Sequence, residues 1–437
     1  MRAAELRQLD RELRAYIETF VDGMGRPERR RAMGWYITGL LLDGERKSIE
    51  PMAGRLVDDE DEVPAMRQRL QSCIGESNWS DDAVRARLAR KVDQEMPGLA
   101  AFVIDDTGFP KKGQYSVGVQ RQYCGTLGRR DNCQVATSLH LAGEAGSACI
   151  AMRLYLPEAW VEDKRRRRTA GVPDDVTFLR KWEIALLQLD DALQWGVRRH
   201  VVLADAGYGD CTEFRTGLRE RGLRYVVGVN GTHLVWPPGS NPQPPKRRPG
   251  QAGLAPTKYV DGDTRPIAIA DLVQNIPRSG YRKVAWREGS RGRQTSRFLA
   301  MRVRVAAHHH YGKPPSDEQW LLCNWLDGAD GPKYWLSDLP ASTPLKTLVA
   351  FAKLRWRVER DYQELKQEIG LDHFEGRTWR GFHHHATLCA VAHAFLALRR
   401  ALFPPIPDEM DAADGAAAPT TDPARDHRHV PALSAAS

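Results

Sequence analysis

The hydrophobic pattern changes period near residue 99, and this change constrains the fold more than any other feature of the chain. Upstream, Leu6, Leu9, Leu13, Tyr16, Ile17 and Phe20 recur at helical spacing, and Met33 to Leu42 and Ala83 to Val92 follow the same rhythm. Residues 1–98 are therefore expected to form an all-helical domain. Its arginines 26, 29–31, 85, 87 and 90 are suited either to phosphate contact or to a solvated face. At Leu99 the run LAAFVID begins, apolar until it meets the carboxylates Asp105 and Asp106, and the breakers TGFPKKG follow. That pattern predicts a buried strand delivering two acidic side chains to a loop.

Further apolar stretches follow. CQVATSLHLAG (133–143) and ACIAMRLYLP (148–157) read as strands, and 176–195 reads as a helix. VRRHVVLADAGYGD ends a strand at Asp205, 214–222 is helical, and YVVGV (225–229) is another strand. The Pro, Gly, Lys and Arg-rich stretch 237–256 breaks the pattern as a loop. KVAWRE, SRFLAMRVRVAA and QWLLCNWL then alternate like strands of an inserted sheet. Long helices are expected at 343–369 and 380–402, and the Pro, Ala and Asp-rich tail 404–437 has too little apolar content to build a core. The expected architecture is α+β or α/β, a mixed sheet flanked by helices. Its parts are a helical region 1–98, a core in two segments (99–230 and 341–403), a β-rich insertion 231–340 and a disordered tail 404–437.

A chain of 437 residues exceeds one ordinary core, in keeping with several parts. Lys and Arg outnumber Asp and Glu by 64 to 56, giving a formal charge of +8 and favouring a polyanionic partner. No secretory leader pattern and no run of 18 apolar residues is present, so a soluble cytoplasmic protein without membrane contact is expected. Seven scattered cysteines without a C-x-x-C pair argue against a disulfide framework and a structural zinc site, and read as small buried hydrophobes.

Carboxylates stand where metal chemistry would use them: Asp105 and Asp106 end the first strand, Asp205 ends a later one, and Glu359 lies on a helix. If those two strands are neighbours, their ends converge on one crevice, and oxygen ligands of this kind select Mg2+ or Mn2+. Arg355, Glu359 and Lys366 are spaced i, i+4 and i+11, which puts them on one stripe of a continuous helix. Taken alone, Arg-x-x-x-Glu is more simply a solvated salt bridge. Lys111 and Lys112 follow the first carboxylates, and Lys164–Arg168 and Lys246–Arg248 are basic runs suited to a nucleic-acid backbone or to plain solvation. His308–His310 and His383–His385 lack metal-ligand spacing and read as surface or phosphate-contacting residues.

Three phrases carry a family likeness. VIDDTGFPKKG, VLADAGYGD and LRWRVERDYQELKQEIGLDHFEGR resemble the catalytic motifs of the DDE transposases of insertion sequences. The likeness is to the cut-and-paste branch, in which a β-rich insertion separates the second Asp from the Glu, and it spans roughly residues 100–402. The resemblance implies an RNase H-like fold. It implies Asp106 as the first metal carboxylate with Asp105 as the fallback, Asp205 as the second and Glu359 as the third, holding two Mg2+ or Mn2+ ions. It also implies Arg355 and Lys366 as DNA contacts, with Ala352 standing where the family motif has Tyr. The implied partners are double-stranded DNA, as the element's terminal inverted repeats and the target, and a second copy of the chain in the synaptic complex, acting at the nucleoid. Trp320, Trp325 and Trp335 are candidates for holding a flipped base, although such residues more often serve as core. The alternative is a recruited, inactive relative that binds DNA without cutting it.

Overall fold

The computed structural model describes residues 3–22, 24–246, 257–289, 292–306, 309–325 and 331–403. The chain opens with helices α1 (Ala3–Val21), α2 (Pro27–Leu41), α3 (Ile49–Leu56), α4 (Val63–Gly75) and α5 (Asp81–Glu95). Local chemistry sets their ends. Pro27 occupies the first turn of α2, where its missing N–H costs nothing, and the Ser80 hydroxyl caps α5 by accepting from Ala83 N at 3.1 Å.

A sheet follows: β1 (Leu99–Pro110), β2 (Gln120–Cys124), β3 (Arg129–Gly143) and β4 (Ser147–Leu154). Helices α6 (Glu158–Glu162), α7 (Lys164–Ala170) and α8 (Lys181–Gln194) lead to β5 (Val201–Ala204), α9 (Ala206–Gly209), α10 (Thr212–Glu220) and β6 (Tyr225–Val229). β7 (Leu234–Trp236), β8 (Ile267–Ala268) and α11 (Ile269–Gln274) precede β9 (Arg282–Gly289), β10 (Gly292–Val305), β11 (Glu318–Trp325) and β12 (Lys333–Ser337). The chain then returns to helix in α12 (Leu345–Leu354), α13 (Arg357–Gln363) and α14 (Trp379–Leu402).

Strand order runs β2-β3-β1-β5-β6-β12-β11-β10-β7-β8, with β4 also on β3 and β9 on β10. β1 pairs antiparallel with β3 and parallel with β5, and β5 pairs parallel with β6. This is the mixed, helix-flanked α+β architecture expected, with the strands bearing Asp105 and Asp205 adjacent. The insertion strands do not form a separate sheet: β12 pairs antiparallel with β6 and makes one continuous sheet with the core. The sequence reading passed over β2, because five largely polar residues carry no apolar alternation. It also read 164–168 as a basic segment where the structure has α7.

α14 is buried along most of its length between β4 and the N-terminal helices. The Tyr16 hydroxyl donates to Val391 O at 2.8 Å, tying α1 to it. His383, His384 and His385 lie on this helix in the core, which corrects the surface reading. Consecutive residues on a helix point in different directions, and here every direction meets protein. His383 Nδ1 bonds Trp379 O at 2.9 Å, and His384 stacks on Trp79 with centroids 3.7 Å apart while its Nε2 bonds Trp79 O at 3.1 Å. His385 pairs Nδ1 with the Tyr36 hydroxyl at 2.8 Å and Nε2 with Gly370 O at 3.2 Å. Six of the seven cysteines are also buried, with Cys211 partly exposed.

The expected helix 343–369 is three pieces. α12 stops at Leu354, α13 begins at Arg357, and Glu364–Glu368 forms a π-helical turn. The stripe that placed Lys366 beside Arg355 and Glu359 assumed continuous 3.6-residue winding, which a break and a π-turn abolish. Two glycines seat the turn after β5. A Cβ on Gly209 would overlap the Gly228 carbonyl oxygen, and a Cβ on Gly228 would press on Asp205 and Ala206. Gly209→Ala is expected to cost about 3 kcal/mol of stability, as overpacking against backbone does, read as a lowered denaturant midpoint. An unchanged midpoint would show that this turn yields freely.

Candidate active site

β1 and β5 run parallel in the register Ala101↔Val201, Phe102↔Val202 and Val103↔Leu203. Two further steps along both strands bring Asp205 beside Asp105. Asp205 caps α9, its carboxylate accepting from Gly207 N at 2.9 Å. Asp105 is more enclosed, with its side chain 14% exposed, and Arg355 reaches it from the break between α12 and α13. Arg355 donates to Asp105 Oδ2 at 2.9 Å through one nitrogen and to Glu359 Oε1 at 3.4 Å through another, so one guanidinium links two of the three regions singled out in the sequence. Glu359 itself is 69% exposed. Burial pushes the Asp105 carboxyl up to about 6; Arg355 opposes the rise, and the Asp205 and Asp106 carboxylates add to it.

Asp106 points the other way, because successive strand residues alternate faces. Its cross-strand neighbour is Thr137, and its carboxylate is bonded by Lys181 of α8. Tyr208 lies on the same side, its hydroxyl reaching Thr137 Oγ1 at 3.4 Å. Asp105 sits opposite Ser138, on the face covered by α13.

A buried polar chain under Asp105 escaped the sequence reading. Asp361 Oδ2 meets His140 Nδ1 at 2.7 Å, His140 Nε2 meets Ser138 Oγ at 2.9 Å, and Ser138 Oγ meets the Tyr362 hydroxyl at 2.5 Å; Ser147 Oγ donates to the second Asp361 oxygen at 2.6 Å. Burial works against a charged His140, but Cys149 and Asp361 together raise it to about 10. This chain joins the helix bearing Glu359 to the strand beside Asp105. Its only trace in the sequence is polar residues in otherwise apolar β3.

The remaining sequence candidates are dispersed. Lys366 Nζ donates to Gly108 O at 2.9 Å and Thr126 Oγ1 at 2.8 Å, fastening the π-turn to the end of β1. Lys111 Nζ donates to Phe374 O at 2.8 Å, whereas Lys112 is exposed. Trp320 Nε1 donates to Pro340 O at 3.0 Å beneath Arg302, Trp325 lies edge-on to Tyr281, and Trp335 is almost wholly buried. Ala352, at the position of the motif Tyr, is buried in an apolar cluster with Leu348 and Val349. Its neighbour Lys353 is ringed by Trp286, Phe298 and Trp335 at 5.3–5.6 Å and donates to Asn324 Oδ1 at 2.6 Å, so four successive insertion strands close on one ammonium. Burial lowers Lys353 to about 8. His308 and Arg247–Arg248 lie outside the described residues, and the tail 404–437 does so too. Among the described residues no three His, Cys, Asp or Glu side chains stand close enough together to form a ready metal cage, and no helix is long and apolar enough to cross a membrane.

The chain is 27% identical over 199 residues to a protein of Microchaete diplosiphon named "Probable transposase for insertion sequence element IS701"; the alignment takes in 45% of this chain and 48% of that one. The chain thus spans about half the length of the curated relative it matches. Residues 19–293 match the family described as DDE superfamily endonuclease, a stretch that holds Asp105, Asp106 and Asp205 with strands β1–β6 and ends before Glu359. The mixed sheet is consistent with an RNase H-like nuclease fold, and the chain belongs to the DDE superfamily endonucleases.

Proposed function

We propose that the protein is the transposase of an insertion sequence, which binds the element's terminal repeats and cleaves and joins DNA strands with Asp105, Asp205 and Glu359. The observation that carries this reading is the placement of Asp205, just past the end of β5, beside Asp105 in the middle of the adjacent parallel strand β1, which runs on to Pro110 rather than ending at its carboxylates, with Arg355 linking Asp105 to Glu359. The same geometry favours Asp105 over Asp106 as the first carboxylate, since Asp106 is turned to the opposite face and held by Lys181.

The donor set fits a hard divalent cation. A mostly buried carboxyl raised to about 6 with a second carboxylate beside it is an all-oxygen site with uncompensated negative charge, and Arg355 offsets only part of it. Two bound Mg2+ or Mn2+ ions would activate a water or a DNA hydroxyl and stabilise the leaving oxygen. In this reading Arg355, once released from the carboxylates, meets the scissile phosphate bidentately, and the Asp361–His140–Ser138 chain keeps α13 in place against β3. The helices before β1 act as a DNA-binding region, the insertion holds α12 through Lys353, and two copies assemble to bring two ends together.

The test is cleavage of DNA carrying the element's own ends with Mg2+, with Mn2+ and with chelator. Nicks at the ends that require metal are expected. Specific binding without any cleavage would favour a recruited DNA-binding relative, a reading to which the Arg355–Asp105 pair gives some support because it places a guanidinium where a cation would bind.

A further inference from the structure

β3 outruns β1. Their pairing ends at Pro110↔Cys133, with Asn132 O still accepting from Lys111 N at 2.9 Å, and residues 129–132 continue along β2 in the register Arg121↔Asn132, Gln122↔Asp131, Tyr123↔Arg130 and Cys124↔Arg129. The result is a two-stranded ribbon that folds back over the end of β1, closed by a short 3-10 turn at Gly125–Leu127 whose Thr126 hydroxyl donates to Gly108 O.

Its two faces differ. Cross-strand partners share a face, so Arg121, Tyr123, Arg130 and Asn132 lie on one side, and the buried Cys124 and Cys133 lie on the other. On the first side Tyr123 is 60% exposed and Arg121 and Arg130 are exposed. The Asn132 amide donates to Lys111 O at 2.6 Å and Gly113 O at 2.9 Å, which fixes the loop carrying exposed Lys112 against the base of this face. Residues 111–131 hold five basic side chains and one acidic, and Asp131 is paired with its neighbour Arg129. Tyr115, in the same loop, is 73% exposed with Arg377 beside its ring. The ribbon is also anchored to the candidate site: Thr126 in its turn donates to Gly108 O at 2.8 Å and is bonded by Lys366.

We propose that the β2–β3 ribbon is a duplex-DNA-binding element that holds the DNA flanking the scissile phosphate through Arg121, Arg130, Lys112 and Tyr123; this rests on the transposase reading above. With its turn held against β1, the ribbon presents this exposed face to a duplex lying along it. Its cations would then meet backbone phosphates on either side, and the Tyr123 ring would pack on sugar or base edges. An exposed aromatic between two exposed arginines on an edge strand gains little for stability and much for a polyanionic, ring-bearing partner.

The experiment measures binding of the full chain to a fluorescent 40-base-pair duplex of arbitrary sequence over a range of salt, with chelator present, alongside a single strand of the same length. The triple variant Arg121→Ala/Arg130→Ala/Lys112→Ala is expected to lower the slope of log affinity against log salt by about 2–3, since each lost phosphate contact removes about 0.9. Tyr123→Ala is expected to weaken duplex binding with the slope unchanged, and all variants are expected to keep the native melting temperature. Native binding together with unaltered slope and affinity in the triple variant would overturn this inference alone. Loss confined to the single strand would overturn the duplex assignment. Native protein with no affinity for either DNA would overturn the proposed function and this inference together.

Discussion

Under the proposed function, Asp105→Asn is expected to abolish metal-dependent strand cleavage and Asp106→Asn to leave most of it intact, the largest and most discriminating expected effect. The two residues are neighbours in sequence and chemically identical, so only strand alternation separates them. Asp105 shares a face with α13 and is linked through Arg355 to Glu359, whereas Asp106 faces α8 and Lys181. Losing a carboxylate that binds the reacting phosphate's counter-ions should cost about a thousand-fold or more, beyond the 10- to 100-fold typical of groups that only support such ligands. Asp205→Asn is expected to match Asp105→Asn. Asp106→Asn should cost only the contact with Lys181, a partly exposed pair worth about 1 kcal/mol or less. The measurement is the single-turnover rate of nicking with binding checked separately. Equal losses at 105 and 106 would show that both faces contribute, and loss at 106 alone would reverse the assignment.

Acid is expected to unfold the protein earlier than its carboxylates alone would dictate. Burial lowers His383, His384 and His385 to about 4, against an ordinary value near 6.5. Each sits in a site built for the neutral ring, with His385 between the Tyr36 hydroxyl and Gly370 O. Between pH 6.5 and 4 these three sites therefore bind more protons in the unfolded chain than in the folded one, so their contribution to stability falls as pH drops through that window and is constant above it. A shift of this size corresponds to as much as about 3 kcal/mol for each histidine. Since the three lie where α14 meets the N-terminal helices and β4, the loss falls on the joint between those parts. Denaturant melts at pH 7.5, 6, 5 and 4 test this. His384→Gln, which preserves a donor toward Trp79 O, should flatten the dependence by roughly a third of the histidine contribution. A pH-independent midpoint down to 4.5 would refute the account.

The sequence by itself determined which segments are helix and strand wherever the apolar period was long, as in α1, α5, β1 and α14. It also offers Asp105, Asp106 and Asp205 as candidates, because an apolar run leading into Asp is visible without knowing what the run packs against. Its family likeness puts Asp106 ahead of Asp105, whereas the order we propose is the reverse, because it depends on which face of β1 receives α13. It placed Lys366 with Arg355 and Glu359 by assuming one continuous helix, and the break at Arg355 and the π-turn at Glu364–Glu368 sent Lys366 to Gly108 and Thr126 instead. It read three adjacent histidines as surface because polar residues are usually exposed; burial became possible only because Trp79, Tyr36 and Gly370, distant in the chain, arrive to satisfy them. Composition and local period are properties of neighbours in the chain, and the sequence carries them openly. The convergence of β1, β5 and α13 on one crevice is set by long-range packing and hydrogen-bond satisfaction, which exist only once the sheet has closed around them.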